Sequence, residues 1–353
     1  MPPSSHPPQK PPTEHTLLLN IARRATIFVS PDFQPHATIP LNGNTVPIAS
    51  PTFRTWLSQA FEERGFIPSP AQTGAVLRKL CEDALAYPII QPVHIRTAPS
   101  APHTYRLDLA NPASEAIEIN GKEWTTVYNL DCRFRRPLAS IAYPTPENTE
   151  APFHKFLERL FHLSEPIAQA LSTWMVAAML PDLTPPILVI TGSASDVAVR
   201  KLRTILDPVT CPIHALPTTK QQFGQLAFSN RVLAFSIGKR ITESCRETLN
   251  KLRTGLPVRL QNPTKTHDLI ETTLHRPIII SAETEIEIGP HQLTIEINET
   301  SETALDKVFA ALLDAVVRGI HEMTRQSMPE PFTDYDVLQM PSQQRPQTPA
   351  PYT

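Results

Sequence analysis

Apolar and polar positions follow two rhythms along this chain. HTLLLNIARR groups its apolar residues as a short helix does. ATIFVS, HATIPL and TVPIAS read as three strands, with Asn42-Gly43-Asn44 as the turn between the last two. In FRTWLSQAFEERG, Phe53, Trp56, Leu57, Ala60 and Phe61 recur at helical spacing, and Gly65 stops the helix. After a Pro-Ser-Pro start, AQTGAVLRKLCEDALA turns Val76, Leu77, Leu80 and Leu85 inward. VHIRT, TYRLDL, AIEIN and WTTVYN are strand-like, with Asn120-Gly121 a hairpin signal. FHKFLERLFHL and PIAQALSTWMVAAML are helices.

Beyond residue 186 the pattern changes. ILVIT, VLAFSI and PIIIS are apolar without alternation, as strands buried on both faces are. ASDVAVRKLRTIL and ITESCRETLNKLRTG separate them as helices, the second stopped by Gly255. EIEIG and LTIEIN alternate and read as a hairpin. A last helix, with Ser301 marking its start, puts Leu305, Val308, Phe309, Leu312, Leu313, Val316 and Val317 on one face. The pattern predicts an α/β protein: a parallel sheet between helical layers, preceded by an α+β N-terminal domain.

Composition adds the ends and the boundaries. MPPSSHPPQKPP has six prolines in twelve residues, and the last stretch, PEPFTDYDVLQMPSQQRPQTPAPYT, is similar. Neither can bury enough apolar area to offset its ordering, so residues 1–15 and 327–353 are expected to be disordered, proline-rich tails. Residues 16–150 form the expected α+β domain and 151–326 a helical lead-in and core. PTPENTEAP is the linker between them. The 353 residues include 39 prolines and only 10 glycines, so glycine-rich catalytic loops are scarce.

The net charge of −2 excludes a global polycation, and any nucleic-acid contact must be a local patch. Cys81, Cys132, Cys211 and Cys245 form no CxxC pair, which argues against zinc and for free thiols. No signal segment opens the chain, and no apolar run reaches the ~20 residues of a membrane span. A soluble, cytoplasmic protein is expected.

The segment PILVITGSASDVAVRKLR runs from strand through small residues into helix, as phosphate-binding loops do. Around it, HATIPLNGNTVPIASPTFRTWL, RFRRP, KLRTILDP, HALPTT, VLAFSIGKR, LNKLRTG and RPIIIS follow in an order that resembles the P-loop ATPases of bacterial mobile elements. These helicase- and primase-like proteins are related to superfamily-3 and AAA+ ATPases. The resemblance spans about residues 17–326 and lies in the order of segments. It implies a P-loop core, with VLAFSI as the Walker B strand and RFRRP as a basic junction.

At the matched positions the ATPase chemistry is missing. A working loop reads GxxxxGK[ST], with a lysine for phosphate charge and a hydroxyl for Mg²⁺. Here Gly192, Ser193, Ser195 and Asp196 stand instead, and Ser195 or Asp196 falls near the lysine position. Ser236 and Ile237 replace the Walker B acid, Ser281 stands at the sensor, and no arginine occurs from Pro277 to Val317. The resemblance then implies a vestigial nucleotide loop, no catalytic residues, no metal and no cofactor beyond weak ATP–Mg²⁺ binding.

Ser193 and Ser195 lack the second glycine of a nucleophile elbow. Arg133, Arg135 and Arg136 beside Phe134 could touch phosphates, and Lys239, Arg240, Arg246, Lys251 and Arg253 form the densest basic stretch of the core. The expectation is a non-hydrolysing, AAA+-like scaffold of a mobile-element or defence system. Its expected partners are DNA, a partner ATPase or another protein, or further copies of itself, with no membrane. The alternatives are an active helicase-like ATPase using Lys201 or Lys239, and a module recruiting partners through its tails.

Overall fold

The computed structural model describes residues 13–40, 43–128, 132–238, 241–261 and 269–327. The C-terminal tail beyond Ser327, most of the N-terminal tail, Asn42 of the expected turn, and Lys239 and Arg240 lie outside the described residues.

Helix α1 (Glu14–Ala22) starts inside the expected tail, because Leu18, Ile21 and Ala22 are buried and Thr13 Oγ1 accepts the Thr16 N–H. Strands β1 (Thr26–Val29), β2 (Pro35–Thr38) and β3 (Thr45–Pro47) make an antiparallel meander. Helices α2 (Pro51–Glu62) and α3 (Pro70–Ala86) both open on Ser-Pro. Ser50 and Ser69 cap the first turn, and proline at the first helical position gives up no hydrogen bond. In α3 the inward residue near the end is Ala84, with Leu85 only half-buried, a one-residue correction to the periodicity.

Four strands follow as an antiparallel sheet: β4 (Thr97–Ala101), β5 (Thr104–Asp108), β6 (Glu115–Ile119) and β7 (Trp124–Tyr128). The strand expected at VHIRT begins only at its last residue. Arg96 sits at φ 64, which turns the chain, and His94 instead exchanges backbone hydrogen bonds with Arg133 and Arg135. Helices α4 (Phe153–Phe161) and α5 (Glu165–Met179) then form a helical pair.

The remaining elements are β8 (Ile187–Thr191), α6 (Ser195–Leu206), β9 (His214–Ala215), α7 (Lys220–Ser229), β10 (Leu233–Ile237), α8 (Glu243–Thr254), the pair β11 (Leu256–Gln261) and β12 (Leu269–Leu274), β13 (Ile278–Ala282), β14 (Gln292–Glu296) and α9 (Leu305–Ser327). They build a five-stranded sheet in the order β14-β8-β13-β10-β9, with every pairing parallel. The apolar strand runs have a simple cause. Leu188 and Ile190 face one helical layer with α4, α5, α6 and α9, and Ile187 and Val189 face the other with α7 and α8.

Two expectations are corrected here. LTIEIN does not form a hairpin with EIEIG: β14 lies parallel to β8, and its alternation reflects an edge strand with one face covered. Ser301 is not the cap of α9, which begins at Leu305. Its hydroxyl lies 2.8 Å from His162 Nε2, and Leu305 itself is exposed.

Residues 16–150 contribute to two cores. α1 to α3 and the β1–β3 meander enclose their own, including Leu18, Phe53, Leu57 and Val76. Strands β5 and β6 instead place Leu107, Ile117 and Ile119 in the core shared with α5, α9 and the parallel sheet. Among the described residues no helix is long and apolar enough to cross a membrane.

Candidate functional site

The sheet order locates the crevice. Chain leaving β8 heads through α6 toward β9, while chain leaving β13 crosses to β14 on the opposite side. Neighbouring strands whose connections diverge leave a cleft beyond their carboxyl ends, where α/β sheets bind ligands. Gly192, Ser193, Ser195, Asp196 and Ser281 all meet at that cleft.

What fills it is the protein itself. The Ser281 hydroxyl bridges Ser195 Oγ, at 3.1 Å, and the Asp196 carboxylate. The Ser193 N–H donates to Asn298 Oδ1 at 3.1 Å, and the Ala194 N–H to the Ile297 carbonyl at 3.2 Å. The Ser195 N–H donates to the Gly192 carbonyl. Asn298 is oriented by its own amide donating to Glu296 Oε1 at 3.0 Å. Gly192 is at φ +98, and a Cβ there would lie 2.6 Å from both Asn298 Oδ1 and the Ile297 carbonyl. A nucleotide loop needs these amides free and pointing at phosphate oxygens. Here they have protein acceptors, so the residues present do not fit a triphosphate.

The flanking positions supply no replacement. Ser236 pairs in register with Ser281 on β13 and with Ala215 on β9. Lys201 points away from the cleft. Its Nζ donates to the Ser301 carbonyl at 2.8 Å and to Glu302 at 2.9 Å.

The arginines of RFRRP separate in space. Arg136 forks onto Asp108, at 2.9 and 2.6 Å, and reaches the Asn111 carbonyl. Arg133 donates to Gln91 and stacks over Phe28. Arg135 lies in a cleft beside His36 and Arg276. On α8, Arg246 and Lys251 are interleaved with Glu243 and Glu247, at 4.0 and 3.5 Å, and Arg253 reaches the Thr184 carbonyl, at 3.5 Å.

One polar cluster escaped the sequence reading. Asp207, fully buried after α6, accepts from Arg96 at 2.9 Å, from Arg203 at 2.5 Å, and from the backbone of Arg231 and Val232. Burial alone would raise its pKa, but Arg203 and Arg96 hold it below the usual carboxylate value. Arg96 comes from the β4 side, so this cluster ties the antiparallel sheet to the parallel one. Its only sequence signal is a charged pair, Arg203 and Asp207, at helical spacing on an otherwise apolar face.

His154, Glu158 and Glu165 place their ligand atoms within 4.8 Å of one another. The Lys155 ammonium already bridges the two carboxylates, at 2.9 and 3.3 Å, so the resident cation is a side chain.

No family model matches the chain, and no curated protein matches it. Among solved structures it is similar to the apo A form of the NrS-1 C-terminal region, at TM-score 0.42 and 12% identity over 88% of this chain and 69% of that one. It is also similar to a full-length MCM homologue from Methanopyrus kandleri, at TM-score 0.33 and 12% identity over 77% and 72% of the two chains.

Proposed function

We propose that this chain is a non-hydrolysing scaffold built on a P-loop, AAA+-like sheet, serving as a binding platform for partners of a helicase- or primase-like system. The observation that carries the reading is the state of the crevice beyond β8 and β13. The amides of Ser193 and Ala194 are bonded to Asn298 and Ile297, and Ser281 is tied to Asp196 across the mouth. Phosphoryl transfer relies on positioned cations, a metal and free loop amides. Asp196 instead puts a carboxylate where phosphate charge would lie. Lys201, the cation an atypical ATPase would use, is bonded elsewhere.

Mg-ATP at millimolar concentration is expected to leave the melting temperature unchanged, and phosphate release to stay at background with or without DNA. A rise of several degrees, or DNA-stimulated release lost in Lys201→Ala, would contradict the reading.

DNA contact is assigned to the α8 face and not to RFRRP, because Arg136 is forked onto the buried Asp108 and Arg135 lies in a cleft, whereas Arg246 and Lys251 are paired only on exposed side chains that phosphate can reach. DNA affinity at two salt concentrations measures that contact, since each neutralised phosphate steepens the salt slope by about one. Lys251→Glu should flatten it and Arg136→Gln should not.

A further inference from the structure

Between the meander and the segment joining β12 to β13 lies a cleft of about 170 Å³, lined among others by Ser30, Asp32, His36, Arg135, Phe228 and Arg276. At ~30 Å³ per water it has room for a phosphate group and a short substituent, but not for a nucleoside triphosphate.

Its polar groups are incompletely matched. Arg135 is held by its backbone, whose N–H donates to the His94 carbonyl, while its guanidinium makes no hydrogen bond or ion pair among the described residues. Arg276 donates its Nε to the Ala227 and Asn230 carbonyls and Nη1 to the His275 carbonyl. All its acceptors are neutral, and Nη2 has none among the described residues. Asp32, the carboxylate of the lining, accepts from the Ser30 hydroxyl, and its charge offsets only part of the burial that lowers the pKa of Arg135. Burial, then Arg231 and Arg135, push Arg276 down to about 9, so it remains cationic at neutral pH.

His36 sharpens the ligand. The residue is 2% exposed, and Nδ1 lies 2.8 Å from the Gln34 carbonyl. A carbonyl only accepts, so Nδ1 carries the proton. Nε2, buried and without a partner among the described residues, is then a bare acceptor. A site with two guanidinium donors and one imidazole acceptor suits an anion that carries its own hydroxyl.

We propose that this cleft binds a small protonated oxyanion, hydrogen phosphate or the monoanionic phosphate of a small phosphomonoester. Arg135 and Arg276 donate to its charged oxygens, and its P–O–H donates to His36 Nε2. Sulfate has the same shape and no proton near neutral pH, so it leaves Nε2 unpaired.

Calorimetric titration of the full chain with inorganic phosphate and with sulfate, at matched ionic strength near pH 7, tests this. Phosphate should bind roughly tenfold or more tightly than sulfate, the worth of one charge-assisted hydrogen bond. Arg135→Gln, whose side chain holds nothing else, should weaken both anions roughly tenfold. His36→Asn keeps a donor for the Gln34 carbonyl and should erase the preference. Glycerol phosphate identifies the source: tighter binding than phosphate assigns an ester, weaker binding assigns the free ion. Absence of phosphate binding, equal affinity for the two anions, or affinity unchanged in Arg135→Gln would each overturn the proposal. Mg-ATP binding is measured separately, so the two readings fail independently.

Discussion

Two clefts in this molecule invite an anion, and they differ in what their polar groups already do. Beyond β8, the sheet's natural ligand crevice, the loop amides have acceptors in Asn298 and Ile297, and Ser281 joins Asp196 across the opening. Beside the meander, in a cleft no fold rule singles out, Arg135 and Arg276 make no ion pair and His36 Nε2 has no hydrogen-bond partner among the described residues. Position in a fold marks where ligands can bind. Unsatisfied hydrogen-bonding capacity marks where one is still wanted, because a buried polar group without a partner costs free energy that a ligand recovers.

Asp207 shows a third case, a buried arginine cluster with its own carboxylate, and there the largest effect is expected. Asp207→Ala leaves Arg96 and Arg203 buried and unpaired and should destabilise the fold by about 3–5 kcal/mol, measured by urea unfolding. A loss below about 1 kcal/mol would mean that water compensates these arginines, and the contrast between matched and unmatched cations would lose its basis.

Gly192→Ala comes next. The positive φ and the approach of Asn298 and Ile297 leave no room for a Cβ, so about 1–3 kcal/mol should be lost. A neutral result would show that the loop relaxes easily and that its closure is not built in. Asn298→Ala should cost about 0.5–1.5 kcal/mol by freeing the Ser193 N–H. It should confer no Mg-ATP thermal shift, because the Ala194 amide and Asp196 are unchanged. Nucleotide binding in this variant would make the two clefts differ by one hydrogen bond only.

The smallest effect is in pH. Burial, as the largest cause, lowers the pKa of His36, His94 and His214. The unfolded chain therefore binds more protons once pH falls below about 6.5. Stability should rise with pH through that window and level off above it. Denaturant midpoints at pH 5 and 8 check the slope, which should be shallower in His36→Asn.

Much of the framework was legible in the chain because burial leaves a periodic trace. Unbroken apolar runs at ILVIT, LAFSI and IIIS required a sheet covered on both sides, and Ser-Pro starts marked α2 and α3. Elements without such a trace were missed. β9 is two residues long, α7 has a mid-helix glycine, β11 carries a proline at its second residue, and β12 mixes apolar and polar residues without strict alternation. The alternation of LTIEIN marked a strand, but the hairpin with EIEIG gave it the wrong neighbour, since period alone carries no direction.

The site divides in the same way. Sequence determined that Gly192, Ser193, Ser195 and Asp196, with no lysine among them, follow β8, and that Ser236 and Ile237 rather than an acid close β10. Only the tertiary structure decided that Asn298, 105 residues further on, would occupy the Ser193 amide. It also decided that Arg135 and Arg136, adjacent in the chain, would meet opposite fates, one without an ion pair among the described residues and one forked onto Asp108. The physical reason is that hydrogen bonds are directional and short. Whether a polar group is satisfied depends on atoms placed within about 3 Å by distant segments, and local pattern does not encode that distance.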